Sequence, residues 1–172
     1  MIGRNIAPGL NRKFVSEDWP AIPAFLWEQE RKEAYRVIDH ESEIRIFASD
    51  IKSYAIKAAK ENALEAGVAD CITFNTLPFN KLNIPDPYSI IICNPPYGER
   101  IGEKEDLNTI YKDFNHLFAN REGLSLYLIT SDKDFEKLFT SRVADRRRKL
   151  YNGRIETTYY QYYGEKPPRS LE

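Results

Sequence analysis

Hydrophobic positions along the chain follow two periods, and their alternation predicts an α/β fold. Four segments repeat apolar residues every three to four positions, which is typical of helices packed on one side. These segments are residues 16–40, 51–66, 106–119 and 132–140. Short apolar runs predict strands at residues 44–49, 71–75, 88–93 and 124–130. The run at 88–93 is almost wholly apolar, which predicts a strand buried on both faces.

The last predicted element is a β-hairpin over residues 147–163. Two runs of strand-forming residues flank Asn152-Gly153, a pair that favours a two-residue turn with positive φ at both positions. The whole order predicts a mostly parallel sheet with helices against it and an antiparallel hairpin at the C-terminal end. Pro23 interrupts the first helical segment, so we expect its regular part to begin near that residue.

The composition is that of a globular protein. The 172 residues carry a net charge of −1, with 42% hydrophobic and 30% charged residues. This balance excludes a disordered chain, a disulfide-stapled miniprotein and a strongly basic nucleic-acid binder. A local basic run at residues 146–149 is compatible with phosphate contact and, more commonly, with a solvated face.

The cysteines and histidines indicate neither a disulfide nor a metal site. Cys71 and Cys93 lie in apolar runs, which predicts buried free thiols in the reducing cytoplasm. No apolar stretch approaches the roughly 18 residues that a membrane span needs, so no membrane association is expected. His40 and His116 show no ligand-like spacing, and we predict no metal site.

The most distinctive feature is the sequence NPPYG at residues 94–98, directly after the apolar run at 88–93. A residue that precedes a proline is kept out of the helical region, so this stretch is stiff and extended. The Asn94 side-chain oxygen and the Pro95 carbonyl can therefore converge on the two hydrogens of one amino group. Tyr97 can cover the face of a base that has left its stack. The alternative is a proline-rich turn with a packed tyrosine, and the position after a strand favours the functional interpretation.

The extended motif resembles a known enzyme family. NPPYGER resembles the [ND]-P-P-[YFW] motif of amino methyltransferases that use S-adenosylmethionine. NPPYGERIGE is similar to ribosomal RNA guanine-N2 methyltransferases that carry a THUMP domain, a family also labelled as adenine-specific DNA methylases. The strings NIAPGL, ASDIKSYAIKAAKENALEAGV and KLYNGRIETTYYQY resemble further segments of that family, so the resemblance spans nearly the whole chain.

This resemblance implies a role for each matching residue. Asp50 would bind the ribose hydroxyls of S-adenosylmethionine, and Ile51 would pack on its adenine. Asn94 would contact both cofactor and target base, while Pro95 and Tyr97 would hold the base. From the residues alone, Asp50 is equally well explained as the cap of the next helix and Ile51 as a core residue.

Two departures from the family pattern affect the expected fold. The chain has no G-x-G and hence no glycine-rich cofactor loop, and Pro78 stands where the family has an acidic adenine contact. We therefore expect residues 1–170 to form a partial Rossmann-like methyltransferase domain without its first strand, followed by a two-residue added tail. The missing strand would lie between those at 44–49 and 88–93, so each of these two strands is expected to have an unpaired edge. Either the two strands come together and close the gap in the sheet, or a second copy of the chain fills that gap.

Two functions from different classes follow. The first is methyl transfer from S-adenosylmethionine to an exocyclic amino group of a nucleic-acid base, with guanine N2 of large-subunit ribosomal RNA preferred by the resemblance. The second is a catalytically inactive fragment that binds nucleic acid or protein weakly. The motif itself does not distinguish guanine from adenine or RNA from DNA. The partners implied are ribosomal RNA or another nucleic acid, and a second copy of the chain.

Overall fold

A computed structural model describes residues 1–96 and 103–168. The chain divides into two compact units, Met1–Pro78 and Phe79–Glu172. The first contains α1 (Ala24–Arg36), β1 (Ile46–Asp50), α2 (Ser53–Glu65) and β2 (Ile72–Thr76). The second contains β3 (Ile90–Cys93), α3 (Glu103–Phe118), β4 (Ser125–Thr130), α4 (Phe135–Leu138), β5 (Arg146–Asn152) and β6 (Ile155–Tyr162). None of the described helices is long and apolar enough to cross a membrane.

The first unit is built around one parallel strand pair. β1 and β2 run in register from Ile46 opposite Ile72 to Asp50 opposite Thr76, and α2 packs against both strands. The helix buries Ile56 and Ala63. Leu64 is 69% exposed because it lies beyond the narrow stripe that reaches the two strands.

The second unit is a four-stranded mixed sheet covered by α3 and α4 on one face. The strand order is β3-β4-β6-β5; β3 and β4 are parallel, and the β4-β6 and β6-β5 pairs are antiparallel. Leu126, Leu128 and Thr130 alternate along β4 and are fully buried. Aromatic rings supply much of the remaining core, with Tyr111, Phe114 and Phe118 from α3, Phe135 and Phe139 from the α4 region, and Tyr160 and Tyr162 from β6.

The α/β architecture and its element order match the sequence prediction, whereas the sheet differs in two respects. Among the described strands, β1 and β3 belong to separate sheets, so the closed-up alternative is wrong. Two of the four strand pairs are parallel and two are antiparallel. Both edges that the sequence analysis expects to be open, on β1 and β3, lack a partner strand within the described residues.

The hairpin turn lies one residue later than predicted. Asn152 pairs with Ile155, so Gly153 and Arg154 form the two-residue loop. Among the described loop residues only Gly153 has positive φ, at 62°. A glycine at the first loop position is the arrangement of a type II′ turn, which suits strand twist without requiring positive φ at the second position.

The largest departure concerns β3. Its sequence predicts burial on both faces, yet Ile90 and Ile92 are 64% and 79% exposed. Ile91 and Cys93 alternate with them and pack against the core. The strand has one hydrogen-bonded neighbour, β4, and no described element covers its other face.

Truncation of the β4 core tests this packing. Leu128 is fully buried, so Leu128→Ala should lower the free energy of unfolding by about 3 kcal/mol, since it removes buried methyl groups and leaves a cavity. Val143 is 82% exposed in the same unit, and Val143→Ala should change that free energy by no more than about 0.5 kcal/mol. Urea unfolding followed by far-ultraviolet circular dichroism measures both. Equal effects of the two substitutions would contradict the described core.

Candidate active site

We call residues 94–96 the proline corner, which begins where β3 ends. Asn94 and Pro96 are exposed, while Pro95 between them is buried. No described residue hydrogen-bonds to the Asn94 side chain, so its amide is available to a ligand within this part of the chain. Both Asn94 and Pro95 precede a proline, which fixes the backbone in extended geometry. Tyr97, the predicted stacking ring, lies outside the described residues.

A polar cluster lies on the neighbouring strand end in the same unit. Because β3 and β4 are parallel, with Cys93 opposite Leu128, their carboxyl ends lie at the same edge of the sheet. Thr130 ends β4, and its Oγ1 accepts a hydrogen bond from the Asp132 backbone N–H at 3.1 Å. The Tyr111 hydroxyl of α3 is 3.5 Å from the same Oγ1.

Burial raises the pKa of two ionisable groups in this region. It raises the pKa of the Cys93 thiol from its ordinary 9.0 to about 12. It also raises the pKa of Tyr111, and the negative charge of Asp132 raises that pKa further. Neither the thiol nor the phenol is an anion at neutral pH, so neither of them supplies a strong base at this edge.

The sequence patterns assigned no functional role to Tyr111 or Thr130, and Asp132 entered only as the first residue of the helix predicted at 132–140. Asp132 does accept a hydrogen bond from the Asp134 backbone N–H, at 2.9 Å on Oδ1. The position of Asp132 in the sequence could have indicated a role in the site. It comes just after the apolar strand LSLYLIT, so it is expected at the same sheet edge as residues 94–96. The involvement of Tyr111 depends on how α3 packs, which no local motif encodes.

The predicted cofactor residues lie together at the carboxyl end of β1, in the other unit. Asp50 is exposed, and its Oδ1 accepts a hydrogen bond from the Lys52 backbone N–H at 2.7 Å. Its second oxygen has no hydrogen-bond donor among the described residues. Ile51 is 68% exposed, so the core interpretation of this residue does not hold. A free carboxylate oxygen beside an exposed aliphatic chain fits the ribose and adenine of S-adenosylmethionine.

The basic run divides between the two faces of β5. On the helix-covered face, Arg147 pairs with Glu136 at 2.6 Å and Lys149 with Glu156 at 3.0 Å. Arg146 and Arg148 alternate with them and lie on the opposite face. Within residues 1–96 and 103–168, no cluster of three or more His, Cys, Asp or Glu side chains is placed to hold a metal ion.

Comparison with known proteins connects this geometry to methyltransferases. YpsC of Bacillus subtilis (strain 168), provisionally named an RNA methyltransferase, is 42% identical over 98% of this chain and 44% of its own length. The ribosomal RNA large subunit methyltransferase K/L of Legionella pneumophila (strain Corby) is 33% identical over 93% of this chain and 23% of its own. A solved structure of SMU.472, a provisionally named methyltransferase complexed with SAH, is 34% identical with a TM-score of 0.88, over 98% of this chain and 44% of its own.

The structural match assigns the α/β methyltransferase fold. A family model described as RMKL-like, methyltransferase domain, matches residues 1–161. The chain therefore belongs to the RMKL-like methyltransferase domain family. It spans less than half the length of the curated relatives it matches.

The raised pKa of Cys93 predicts an alkaline loss of stability. Between pH 9 and about 12 the unfolded chain releases the thiol proton and the folded chain retains it. The stabilisation is complete below pH 9 and falls by at most about 1.4 kcal/mol per pH unit above it. Urea unfolding at several pH values should show a shallower alkaline decline for Cys93→Ala than for the unmodified chain.

Ile91→Val provides the matched control, because Ile91 lies on the same strand and the same face as the thiol. It should lower stability equally at every pH. Identical pH slopes for Cys93→Ala and the unmodified chain would contradict the raised pKa of this partly buried thiol.

Proposed function

We propose that this chain contributes to methyl transfer from S-adenosylmethionine to an exocyclic amino group of a nucleic-acid base. The observation that carries the proposal is the corner after β3. There, Asn94 is exposed and unbonded to any described residue, and Pro95 is buried behind it. An exposed amide oxygen at a strand end can accept a hydrogen bond from a ligand.

The chemistry of the corner is that of an amino-group holder. The Asn94 side-chain oxygen and the Pro95 carbonyl each accept one N–H, which leaves the nitrogen lone pair directed at the methyl donor. When bound, S-adenosylmethionine supplies an electrophilic methyl group. Asp50 would bind its ribose, Ile51 its adenine, and Asn94 would contact it beside the target base. Rate enhancement then comes from positioning, since the neighbouring thiol and phenol stay protonated.

The proposed substrate is ribosomal RNA, with guanine N2 of the large subunit as the preferred target. The names of YpsC and of the Legionella enzyme support RNA over DNA. The family resemblance alone supports guanine, because two acceptors also hold the amino group of adenine. Tyr97 would stack on the extruded base, and this role remains a proposal.

The second candidate is a catalytically inactive fragment. Three features favour it: the sequence has no G-x-G, Pro78 occupies an acidic position of the family pattern, and β3 has an open edge. Such a chain would keep the corner without binding the cofactor firmly. A second copy of the chain is the partner expected from the sequence for the open edge.

Calorimetric titration with S-adenosylmethionine separates the two candidates. If the chain uses the cofactor, its dissociation constant should lie in the micromolar range, which corresponds to a binding free energy of about −8 kcal/mol. Asp50→Ala should weaken binding about tenfold, since it removes the acceptor proposed for the ribose. Glu43→Gln alters an exposed carboxylate of the same unit and should leave binding unchanged. No detectable heat with the unmodified chain would favour the inactive fragment.

Methyl transfer to unmodified large-subunit ribosomal RNA tests the corner directly. Asn94→Ala should lower the turnover rate about 100-fold, because the amino group loses one of its two positioning acceptors. Asn108→Ala, at an exposed position of α3, should retain the unmodified rate. Nucleoside analysis of the product distinguishes methylated guanine from methylated adenine. Full activity of Asn94→Ala would refute the proposed role of the corner.

A further inference from the structure

The β5–β6 hairpin projects beyond the end of the neighbouring strand β4. β4 ends at Thr130, which lies opposite Thr158 of β6. Past that level β5 and β6 continue to pair, as far as Asn152 opposite Ile155. Because β6 is antiparallel to β4, the projecting end lies at the sheet edge where β3 and β4 have their carboxyl ends. We call residues 148–156 the hairpin tip, which extends past the sheet on the side of the proline corner.

This part of the hairpin is strongly basic. Residues 146–156 contain four arginines and one lysine against one glutamate, although the whole chain has a net charge of −1. Arg147 and Lys149, on the helix-covered face, are paired with glutamates. In the part of the chain that the structure describes, no carboxylate forms an ion pair with Arg148 or Arg154. The hairpin tip therefore presents cations that the described residues do not neutralise.

Protection of the sheet edge explains only part of this pattern. β5 is the last strand of its sheet and is exposed along its whole length. Charged side chains on an edge strand hinder pairing with another chain, and either sign of charge does so. Edge protection does not explain Arg154, which lies in the loop, or the Tyr151 ring, which is 66% exposed. Cations beside an exposed ring are the combination that binds single-stranded nucleic acid.

The position of the hairpin tip suits a strand of RNA that enters the candidate active site. Three strand spacings of about 4.8 Å separate β5 from β3, which amounts to about 14 Å across the sheet. A nucleic-acid strand carries one phosphate per about 3.4 Å of its axis. The tip thus lies within a few nucleotides of a base held at Asn94.

We propose that the hairpin tip binds the backbone of the RNA substrate beside the target base. Arg148 and Arg154 contact phosphate oxygens, and Tyr151 stacks on a flanking base. Arg148 and Tyr151 lie on opposite faces of β5, so the bound strand crosses the tip at the loop that carries Arg154. The choice of RNA rests on the proposed function, but binding at the tip requires neither cofactor nor methyl transfer.

Fluorescence anisotropy with a labelled single-stranded RNA tests the proposal in the absence of cofactor. Titrations between about 50 and 200 mM salt give the dissociation constant and its salt slope. Arg148→Glu combined with Arg154→Glu should weaken binding at least about tenfold and reduce the slope by about 1.4, because two phosphate contacts are lost. Tyr151→Ala should weaken binding about tenfold at an unchanged slope, because stacking releases no counterions.

Lys112→Glu combined with Lys166→Glu is the matched control. Both lysines are exposed in the same unit, and the change in net charge equals that of the double arginine variant. The control should leave the dissociation constant unchanged. The glutamates at positions 148 and 154 keep the edge strand charged, so the experiment tests the sign of the charge separately from edge protection. Circular dichroism checks that all variants fold.

Three outcomes would overturn the proposal: no RNA binding by the unmodified chain, equal weakening by the lysine control, or unchanged affinity of the double arginine variant. Tighter binding of a DNA oligonucleotide of the same sequence would overturn the assignment to RNA. Equal displacement of the RNA by polyglutamate would assign the tip to an acidic polypeptide instead.

Methyl-transfer kinetics separate this proposal from the proposed function. The double arginine variant should raise the KM for ribosomal RNA about tenfold and leave kcat unchanged, whereas Asn94→Ala lowers kcat. Arginine-dependent RNA binding by a chain that transfers no methyl group would refute the proposed function alone. Methyl transfer with the same KM in the double arginine variant would refute the role of the hairpin tip alone.

Discussion

The parallel pairing of β3 with β4 is the interaction on which the candidate site depends. It brings the carboxyl ends of two strands to one edge, so that Asn94 and Asp132 share that edge although they are 38 positions apart in the chain. β4 is held on both sides by hydrogen-bonded neighbours, and Leu126 and Leu128 anchor it in the core. The pairing of β3 with β4 therefore fixes the position at which the proline corner begins. Its two prolines then limit how far the backbone can depart from the strand direction.

Local physics made much of this fold predictable. Pro23 marks the start of α1, the apolar repeat outlines α3, and a glycine after Asn152 marks the hairpin. These signals act over a few residues, so they can be read without the fold. The exact turn position was missed, because the register of β5 against β6 decides which residues form the loop. The contact between Tyr111 and Thr130 was missed for a similar reason, since it joins two elements through packing.

The burial of β3 in the structure differs from the burial that its sequence predicts. Ile90, Ile91 and Ile92 are equally apolar, yet only Ile91 packs against the core of the second unit. A sequence adapted to one-sided burial would place polar residues at 90 and 92. The strand instead has the composition of one covered on both faces. Local pattern and tertiary environment usually agree in foldable sequences, so the mismatch marks β3 as the strand whose pattern is least satisfied by the described residues.

The electrostatics of the corner favour a particular kind of chemistry. An exocyclic amino group already carries its hydrogens and a lone pair, so a site for methyl transfer must orient it and need not first deprotonate it strongly. The Cys93 thiol next to Asn94 and the Tyr111 phenol of the same unit match this requirement, because both are protonated at neutral pH and burial raises their pKa values further. The Asn94 amide oxygen and the Pro95 carbonyl lie on a rigid backbone and can accept amino hydrogens without taking up a proton, which is a physical reason for asparagine and proline at the end of this strand.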